Sequence, residues 1–230
     1  MNYRNITQGI FLSRPNRFIA KVIIDGKEET VHVKNTGRCR ELLVPGCTVY
    51  LEKSENPSRK TPYDLIAAQK KTEKGTILIN MDSQIPNACC AEFLPRSGLF
   101  SPDAVIKREV KFGNSRFDIG ITEGDQKSFV EVKGVTLEKD GLALFPDAPT
   151  ERGVKHVKEL ISAKNQGFGA YIIFIIQMTG VHTFSPNREM HPEFAEALRT
   201  AEKAGVKILA YDCTVTPDSI NVRNPVKISL

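Results

Sequence analysis

Residues 105–135 have the sequence VIKREVKFGNSRFDIGITEGDQKSFVEVKGV, which contains three β-rich runs separated by turn residues. A two-residue turn at Gly113-Asn114 and a four-residue loop at 123–126 are the connections expected between antiparallel strands. The segment therefore predicts a three-stranded meander, with strands over Val105 to Phe112, Ser115 to Thr122 and Lys127 to Val135.

The turn lengths fix the register of this meander. Opposed positions sum to 227 in the first hairpin and to 249 in the second, so Asp118 faces Glu109 on one side and Glu131 on the other. Opposed Cβ atoms lie roughly 4.5–5.5 Å apart, which lets the three carboxylates converge. Alternation puts these acids and Lys133 on one polar face and predicts a core face formed by Val110, Phe112, Phe117, Ile119, Ile121, Val130 and Val132.

Opposed acids destabilise a sheet unless a cation offsets their repulsion. Oxygen ligands suit Mg²⁺ or Mn²⁺, so Asp118, Glu131 and the Val132 carbonyl are predicted to bind a divalent metal. Lys133 is predicted to orient a water or to stabilise a pentacovalent phosphate, and Glu109 is the third acid of this catalytic set. The chemistry is phosphodiester hydrolysis. The alternative is a solvated face on which the acids pair with Lys111, Arg116 and Lys133.

The chain on either side of the meander is predicted to form two domains. Residues 1–85 contain short strands and turn signals, including the hairpin signal Asp25-Gly26, and predict an OB-like β-barrel that binds nucleic acid. A β-domain that merely packs on its neighbour is the alternative. Residues 86–230 predict a mixed α/β (α+β) domain, in which the meander is followed by a helix that Thr150 caps, a doubly buried strand at 170–177, a helix from Pro192 and a strand at 206–211.

Composition narrows the class of protein. The 230 residues are 40% hydrophobic and 26% charged, which is typical of a globular protein, and no run of 18 apolar residues predicts a membrane span. The N-terminus lacks the apolar core of a signal peptide, so we expect a cytoplasmic protein. Five cysteines without a CxxC pair predict neither a disulfide framework nor a zinc site.

Positive charge is concentrated in the first domain. Of the net charge of +5, four units lie within residues 1–95, which favours a polyanionic partner. Side chains in its loops and at its strand ends are predicted to contact DNA phosphates without sequence specificity, namely Arg14, Arg17, Arg38, Arg40 and Lys60. Phe18 or Tyr63 could stack on bases, although a core position is expected for Phe18.

A second polar group follows the meander. Helical spacing places Arg152, Lys155 and His156 on one face, where they could border the carboxylates and bind a phosphate. Asp147 in the preceding loop and Gln177 at the end of the buried strand are further candidates for the border of the site. A solvated helix face and a plain strand-end glutamine are the alternatives.

The Asp118 and Glu131-Val-Lys133 pattern resembles the core of the PD-(D/E)XK nuclease superfamily, although Phe117 replaces the motif's proline. The whole chain is similar to the sugar fermentation stimulation protein A family. This resemblance rests on Arg14-Pro-Asn-Arg-Phe18, Asn35-Thr-Gly-Arg38, the segment 109–118, Phe129-Val-Glu-Val-Lys-Gly-Val-Thr-Leu137, Phe145-Pro-Asp-Ala-Pro-Thr-Glu-Arg-Gly-Val-Lys-His156 and Lys158-Glu-Leu160.

The resemblance implies an N-terminal OB-like domain, a restriction-endonuclease-like C-terminal domain, non-specific DNA binding and a role in regulating maltose metabolism. The expectation is a DNA-binding protein with a nuclease-like Mg²⁺ or Mn²⁺ site. Two alternatives stay open: a DNA-binding regulator with vestigial acids, and a metal-dependent phosphoesterase that acts on another substrate.

Overall fold

The computed structural model describes residues 1–35, 37–73, 75–113 and 115–230. The first part of the chain forms a barrel in which the strands follow the order β3-β2-β1-β4-β5-β6. Parallel pairing of β3 with β5, at His32↔Asp64 and Val33↔Leu65, closes the ring. The predicted OB-like barrel is confirmed, with strands β1 (Ile6–Asn16), β2 (Ile19–Ile24), β3 (Lys27–Val33), β4 (Thr48–Lys53), β5 (Tyr63–Thr72) and β6 (Gly75–Asn80).

Alternating apolar residues fill the barrel. Val22, Val31 and Leu51 come from three different strands and are fully buried. The turn between β2 and β3 is Asp25-Gly26, as predicted, and both residues have positive φ, which this tight turn requires.

The second part of the chain is a mixed sheet covered by helices. Its strand order is β15-β14-β12-β9-β8-β7, with β9, β12 and β14 parallel. A separate small sheet is formed by strands β10, β11, β13 and β16. The sequence did not predict this sheet, because the runs that form its strands are short and irregular. The elements are α1 (Ile85–Phe93), β7 (Val105–Phe112), β8 (Ser115–Glu123), β9 (Gln126–Val135), β10 (Leu137–Lys139), β11 (Leu142–Phe145), α2 (Glu151–Asn165), β12 (Gly169–Ile176), β13 (Thr183–Pro186), α3 (Pro192–Lys203), β14 (Lys207–Thr216), β15 (Ser219–Pro225) and β16 (Lys227–Ile228).

Strand β12 lies at the centre of this sheet and is buried on both faces, as its continuous apolar sequence predicts. Ile172 and Phe174 pack into the core under α2 and α3, which also includes barrel residues. Ile173 and Ile175 pack into a second core that contains residues of α1. None of the described helices is long and apolar enough to cross a bilayer.

The register of the meander is the predicted one, but its faces are not. Val105 pairs with Thr122 and Ile119 with Val130, which gives the predicted sums of 227 and 249. The expectation of one core face and one polar face is wrong, because each face of the sheet packs into an apolar core. Asn114, the second residue of the predicted first turn, lies outside the described residues.

The side-chain alternation is interrupted at Glu109 and Asp118. Glu109 has a φ of 57°, in the left-handed region, and the described β7–β8 ladder skips these two positions. Phe117 consequently packs against Phe129, with ring centroids 5.2 Å apart, in the core that lies under α2. The prediction that Phe117 shares a face with Val132 is therefore wrong, as it is for Val110 and Phe112.

Buried amides join the barrel to the mixed sheet. Gln177 is 1% exposed, and its Nε2 donates to Asn80 Oδ1 at 2.9 Å and to the Asp82 carbonyl at 3.1 Å. The Asn80 Nδ2 in turn donates to the Tyr3 hydroxyl at 2.9 Å. Because both domains contribute to this network and to one core, we expect them to unfold together.

Replacing Gln177 tests this junction. Gln177→Ala removes two buried hydrogen bonds between the domains, so we expect the free energy of unfolding to fall by about 1–3 kcal/mol in urea titrations. Gln8→Ala, at an exposed strand position, should change it by less than about 0.5 kcal/mol. Equal effects of the two substitutions would contradict a structural role for the amide network.

Candidate functional site

Asp118 lies where strands β8 and β9 stop pairing. Their last described pair is Ile119↔Val130, and beyond it the Asp118 side chain takes the place of a backbone partner. Its Oδ2 accepts the Val132 amide proton at 2.8 Å, and its Oδ1 accepts from the Asn87 Nδ2 at 2.7 Å. Asn87 lies on α1, and no sequence signal pointed to it, because it precedes Asp118 by 31 residues.

Glu131 is the most buried acid of the group, at 1% exposure. Its Oε1 accepts from the Lys133 Nζ at 2.5 Å and is in hydrogen-bond contact with the His156 Nδ1. Its Oε2 is buried and has no hydrogen-bond partner among the described residues. One carboxylate oxygen is thus held by two donors, while the other accepts no hydrogen bond from the described residues.

The two carboxyl groups have opposite pKa shifts. Burial raises the pKa of Glu131, but the hydrogen bond from His156 and the charge of Lys133 outweigh it, so the pKa lies below its ordinary value. Burial, and then the negative charge of Glu131, raise the pKa of Asp118 above its ordinary value. Repulsion between the two carboxylates is therefore present in the protein and would be relieved by a cation.

Helix α2 presents the polar group that holds Glu131. Thr150 caps this helix, as predicted, by accepting from the Gly153 amide at 3.1 Å. In the first turns of the helix, the Arg152 Nε donates to the Nε2 of His156, four residues later, at 3.3 Å. Because Nε2 accepts, the proton of the imidazole is on Nδ1 and is donated to Glu131.

Three predicted members of the site lie elsewhere. Glu109 is exposed, and its Oε2 lies 3.7 Å from the Arg116 Nη1, so it does not converge with the other acids. The expectation of three converging carboxylates is wrong: within the described residues, no group of three His, Cys, Asp or Glu side chains is placed to hold a metal. Lys155 is exposed, and its Nζ lies 3.7 Å from Glu159. Gln177 belongs to the amide network between the domains, although its Oε1 lies 2.6 Å from where a Cβ on Gly134 would be.

Arg14 organises a loop of the barrel. Its Nη1 donates to the carbonyls of Gly37 and Arg38, both at 2.8 Å, and its Nη2 donates to those of Arg17 and Asn35 at 2.7 and 2.6 Å. All four Nη protons are therefore used within the protein. Arg14 was predicted to contact phosphate, but here its guanidinium fixes the backbone around which the other arginines lie.

The remaining arginines surround an open pocket of about 430 Å³. Arg17, Arg38 and Arg40 are exposed and line it together with Arg14, Asn16, Gly37, Cys39, Leu43 and Ala148. Ala148 belongs to the loop before α2, so the pocket lies at the junction of the two domains. In that loop Asp147 Oδ2 accepts from the Arg38 amide at 3.2 Å and occupies the space that a Cβ at position 37 would need.

Lys60 and Phe18 complete the predicted nucleic-acid contacts. Lys60 is exposed but is not among the residues that line this pocket. Phe18 is 50% exposed, so the expected core position is wrong. The Arg17 guanidinium lies over the Phe18 ring, 5.8 Å from its centroid.

Comparisons with known proteins agree with this two-part architecture. The model described as "SfsA N-terminal OB domain" matches residues 12–79, and the model described as "Sugar fermentation stimulation protein RE domain" matches residues 84–219. The chain belongs to the sugar fermentation stimulation protein family. Homologues of that name in Desulfitobacterium hafniense (strain Y51) and Ruminiclostridium cellulolyticum are 58% and 52% identical over 230 residues, which is 100% of this chain and 99% and 100% of theirs.

A solved member of the family has the same fold. The structure of Pyrococcus furiosus SfsA in complex with Ca²⁺ matches with a TM-score of 0.86 and 30% identity, over 100% of this chain and 98% of that one. The two family models also span both candidate sites, since Arg14 and Arg38 lie in the OB-domain match and Asp118 and Glu131 in the RE-domain match.

The role of Arg14 gives a testable prediction. Arg14→Ala leaves four carbonyls without their donor, so we expect it to lower the free energy of unfolding by about 2–4 kcal/mol. Arg17→Ala removes an exposed side chain from the turn between β1 and β2 and should change the free energy of unfolding by less than about 0.5 kcal/mol. Denaturant titration of both variants measures the difference. If Arg14→Ala is as stable as Arg17→Ala, the guanidinium does not hold the loop.

Proposed function

We propose that this protein binds DNA without sequence specificity and hydrolyses phosphodiester bonds at a divalent-cation site on Asp118 and Glu131. The observation that carries the proposal is the Oε2 of Glu131, which is buried beside a second carboxylate and has no hydrogen-bond partner in the described part of the chain. A buried anionic oxygen without a donor is costly, and a metal ion is the partner that such an oxygen suits best. The resemblance to PD-(D/E)XK nucleases gives the same assignment.

The residues present fit Mg²⁺ or Mn²⁺. Carboxylate oxygens of Asp118 and Glu131 and the Val132 carbonyl would hold the ion, and all three are hard oxygen ligands. A bound ion would supply Lewis-acid stabilisation of the phosphate and a water of lowered pKa. The Pyrococcus furiosus relative is described in complex with Ca²⁺, another cation that prefers oxygen ligands.

The protein's own side chains supply charge and order around that position. Lys133 brings a positive charge next to Glu131, where it can stabilise negative charge that develops on a phosphate. His156 and Arg152 fix the orientation of Glu131 from the neighbouring helix. The lowered pKa keeps Glu131 ionised at neutral pH, the state that a cation requires.

DNA binding is assigned to the basic barrel. Arg17, Arg38 and Arg40 have no carboxylate within ion-pair distance among the described side chains, and Lys60 adds to the same excess of charge. Phosphate contacts of this kind bind DNA of any sequence.

A cleavage assay tests the proposal. Purified protein with millimolar Mg²⁺ or Mn²⁺ should cut single- or double-stranded DNA, and EDTA should stop it. Asp118→Asn, Glu131→Gln and Lys133→Ala should each lower the rate by at least about 100-fold, because each removes a ligand or a charge at the reacting phosphate. Glu109→Gln is the matched control and should retain the rate of the wild type, since this acid points away from the site.

Two outcomes would contradict hydrolysis of DNA. Binding of DNA without cleavage under every metal condition would favour a second candidate, a DNA-binding regulator of sugar (maltose) metabolism with vestigial acids. The turning away of Glu109 favours that candidate, because it leaves two carboxylates instead of three. Hydrolysis of a small phosphodiester without DNA binding would instead indicate a metal-dependent phosphoesterase.

A further inference from the structure

The tip of the β1–β2 hairpin carries an aromatic ring that the structure holds in solvent. Asn16 pairs with Ile19, so Arg17 and Phe18 form the two-residue tip. The Asn16 Oδ1 accepts from the amides of Phe18 and Ile19 at 2.9 and 3.1 Å, and the Phe18 carbonyl accepts from the Val33 amide at 2.8 Å. The backbone of the tip is therefore fixed before any ligand binds, while the ring remains 50% exposed.

This ring lies beside a pocket of positive charge. Arg17 connects the two features, because it lines the pocket and also lies over the ring. Asp147 is a negative group beside the pocket, and its Oδ2 accepts from the Arg38 amide. Burial, followed by the charges of Asp147 and Glu41, raises the pKa of the Cys39 thiol to about 12, so this lining residue adds no negative charge.

The exposed ring and the basic pocket together favour unpaired nucleotides over duplex DNA. A pocket of about 430 Å³ is in the range of small-ligand pockets and suits one nucleotide. Bases in a duplex are stacked on both faces and offer nothing to a protruding ring, whereas an unpaired base offers a free face. Arginines and an aromatic ring side by side are the components that proteins use to bind single strands.

We infer that the pocket of Arg14, Arg17, Arg38 and Arg40 binds an unpaired nucleotide, with a phosphate among the exposed arginines and the base on Phe18. The inference rests on the proposed DNA binding and adds the strandedness of the substrate. It also places the ligand against the loop of Ala148, which leads into the helix that orients Glu131. Single strands, overhangs and frayed ends are thus the ligands that this surface recognises.

Fluorescence anisotropy with the full chain tests the inference, in EDTA so that no cleavage occurs. Three labelled DNAs of one sequence are compared: a single strand, a blunt duplex and a duplex with a single-stranded overhang. Wild-type protein should bind the first and third at least about 5-fold more tightly than the blunt duplex. Phe18→Ala should weaken binding to those two by about 5- to 150-fold, the loss expected for one stacked base, and leave the blunt duplex within about 2-fold.

Matched variants separate stacking from mere exposure. Phe18→Tyr keeps an aromatic ring and should retain the preference, whereas Phe18→Leu keeps apolar bulk and should lose it. Val44→Ala changes another exposed apolar residue of the barrel, 51% exposed, and should have no effect. Melting temperatures of all variants should match the wild type, since these side chains lie at the surface.

The outcomes distinguish this inference from the proposed function. Salt-sensitive binding to all three DNAs with equal affinity, or an equal effect of Phe18→Ala on all three, would overturn the inference and leave the proposed DNA binding standing. Binding to none of them would overturn both. A loss caused equally by Phe18→Ala and Val44→Ala would indicate a non-specific surface effect and would also overturn the inference.

Discussion

The buried carboxylate of Glu131 places a constraint on everything around it. An ionised acid at 1% exposure is tolerated only where partners replace the water that it has lost. Lys133 and His156 do so for one oxygen, and Arg152 fixes the imidazole in the tautomer that can donate. The arrangement depends on α2 beginning at the right place, which the Thr150 cap ensures.

The loop that positions α2 also connects the two domains. The loop that leads into α2 also contacts the barrel, where Asp147 accepts from the Arg38 amide and lies against Gly37. On the barrel side of this contact, Arg14 holds the backbone through the carbonyls of Arg17, Asn35, Gly37 and Arg38. Because the barrel positions this loop, and the loop positions α2, the candidate DNA pocket and the candidate metal site are connected through one continuous segment of chain.

The meander illustrates what the sequence could predict. Turn length and strand period gave the hairpin register, because both depend on local residue types, and the pairs Val105↔Thr122 and Ile119↔Val130 follow it. The left-handed φ of Glu109 could not be predicted, since the interruption depends on packing of Phe117 and Phe129 beneath helices from later in the chain. This single backbone change explains why the predicted positions of Glu109 and of the core residues Val110, Phe112 and Phe117 are wrong.

Diffraction can test directly whether the Oε2 of Glu131 binds a divalent cation. Crystals of the protein soaked in Mn²⁺ should give an anomalous peak in contact with Glu131 Oε2 and a carboxylate oxygen of Asp118, at roughly 2.0–2.3 Å. The peak should disappear in crystals of Glu131→Gln. A saturating soak with no peak between these two carboxylates, or a peak that persists in that variant, would show that Glu131 does not hold a cation at this position.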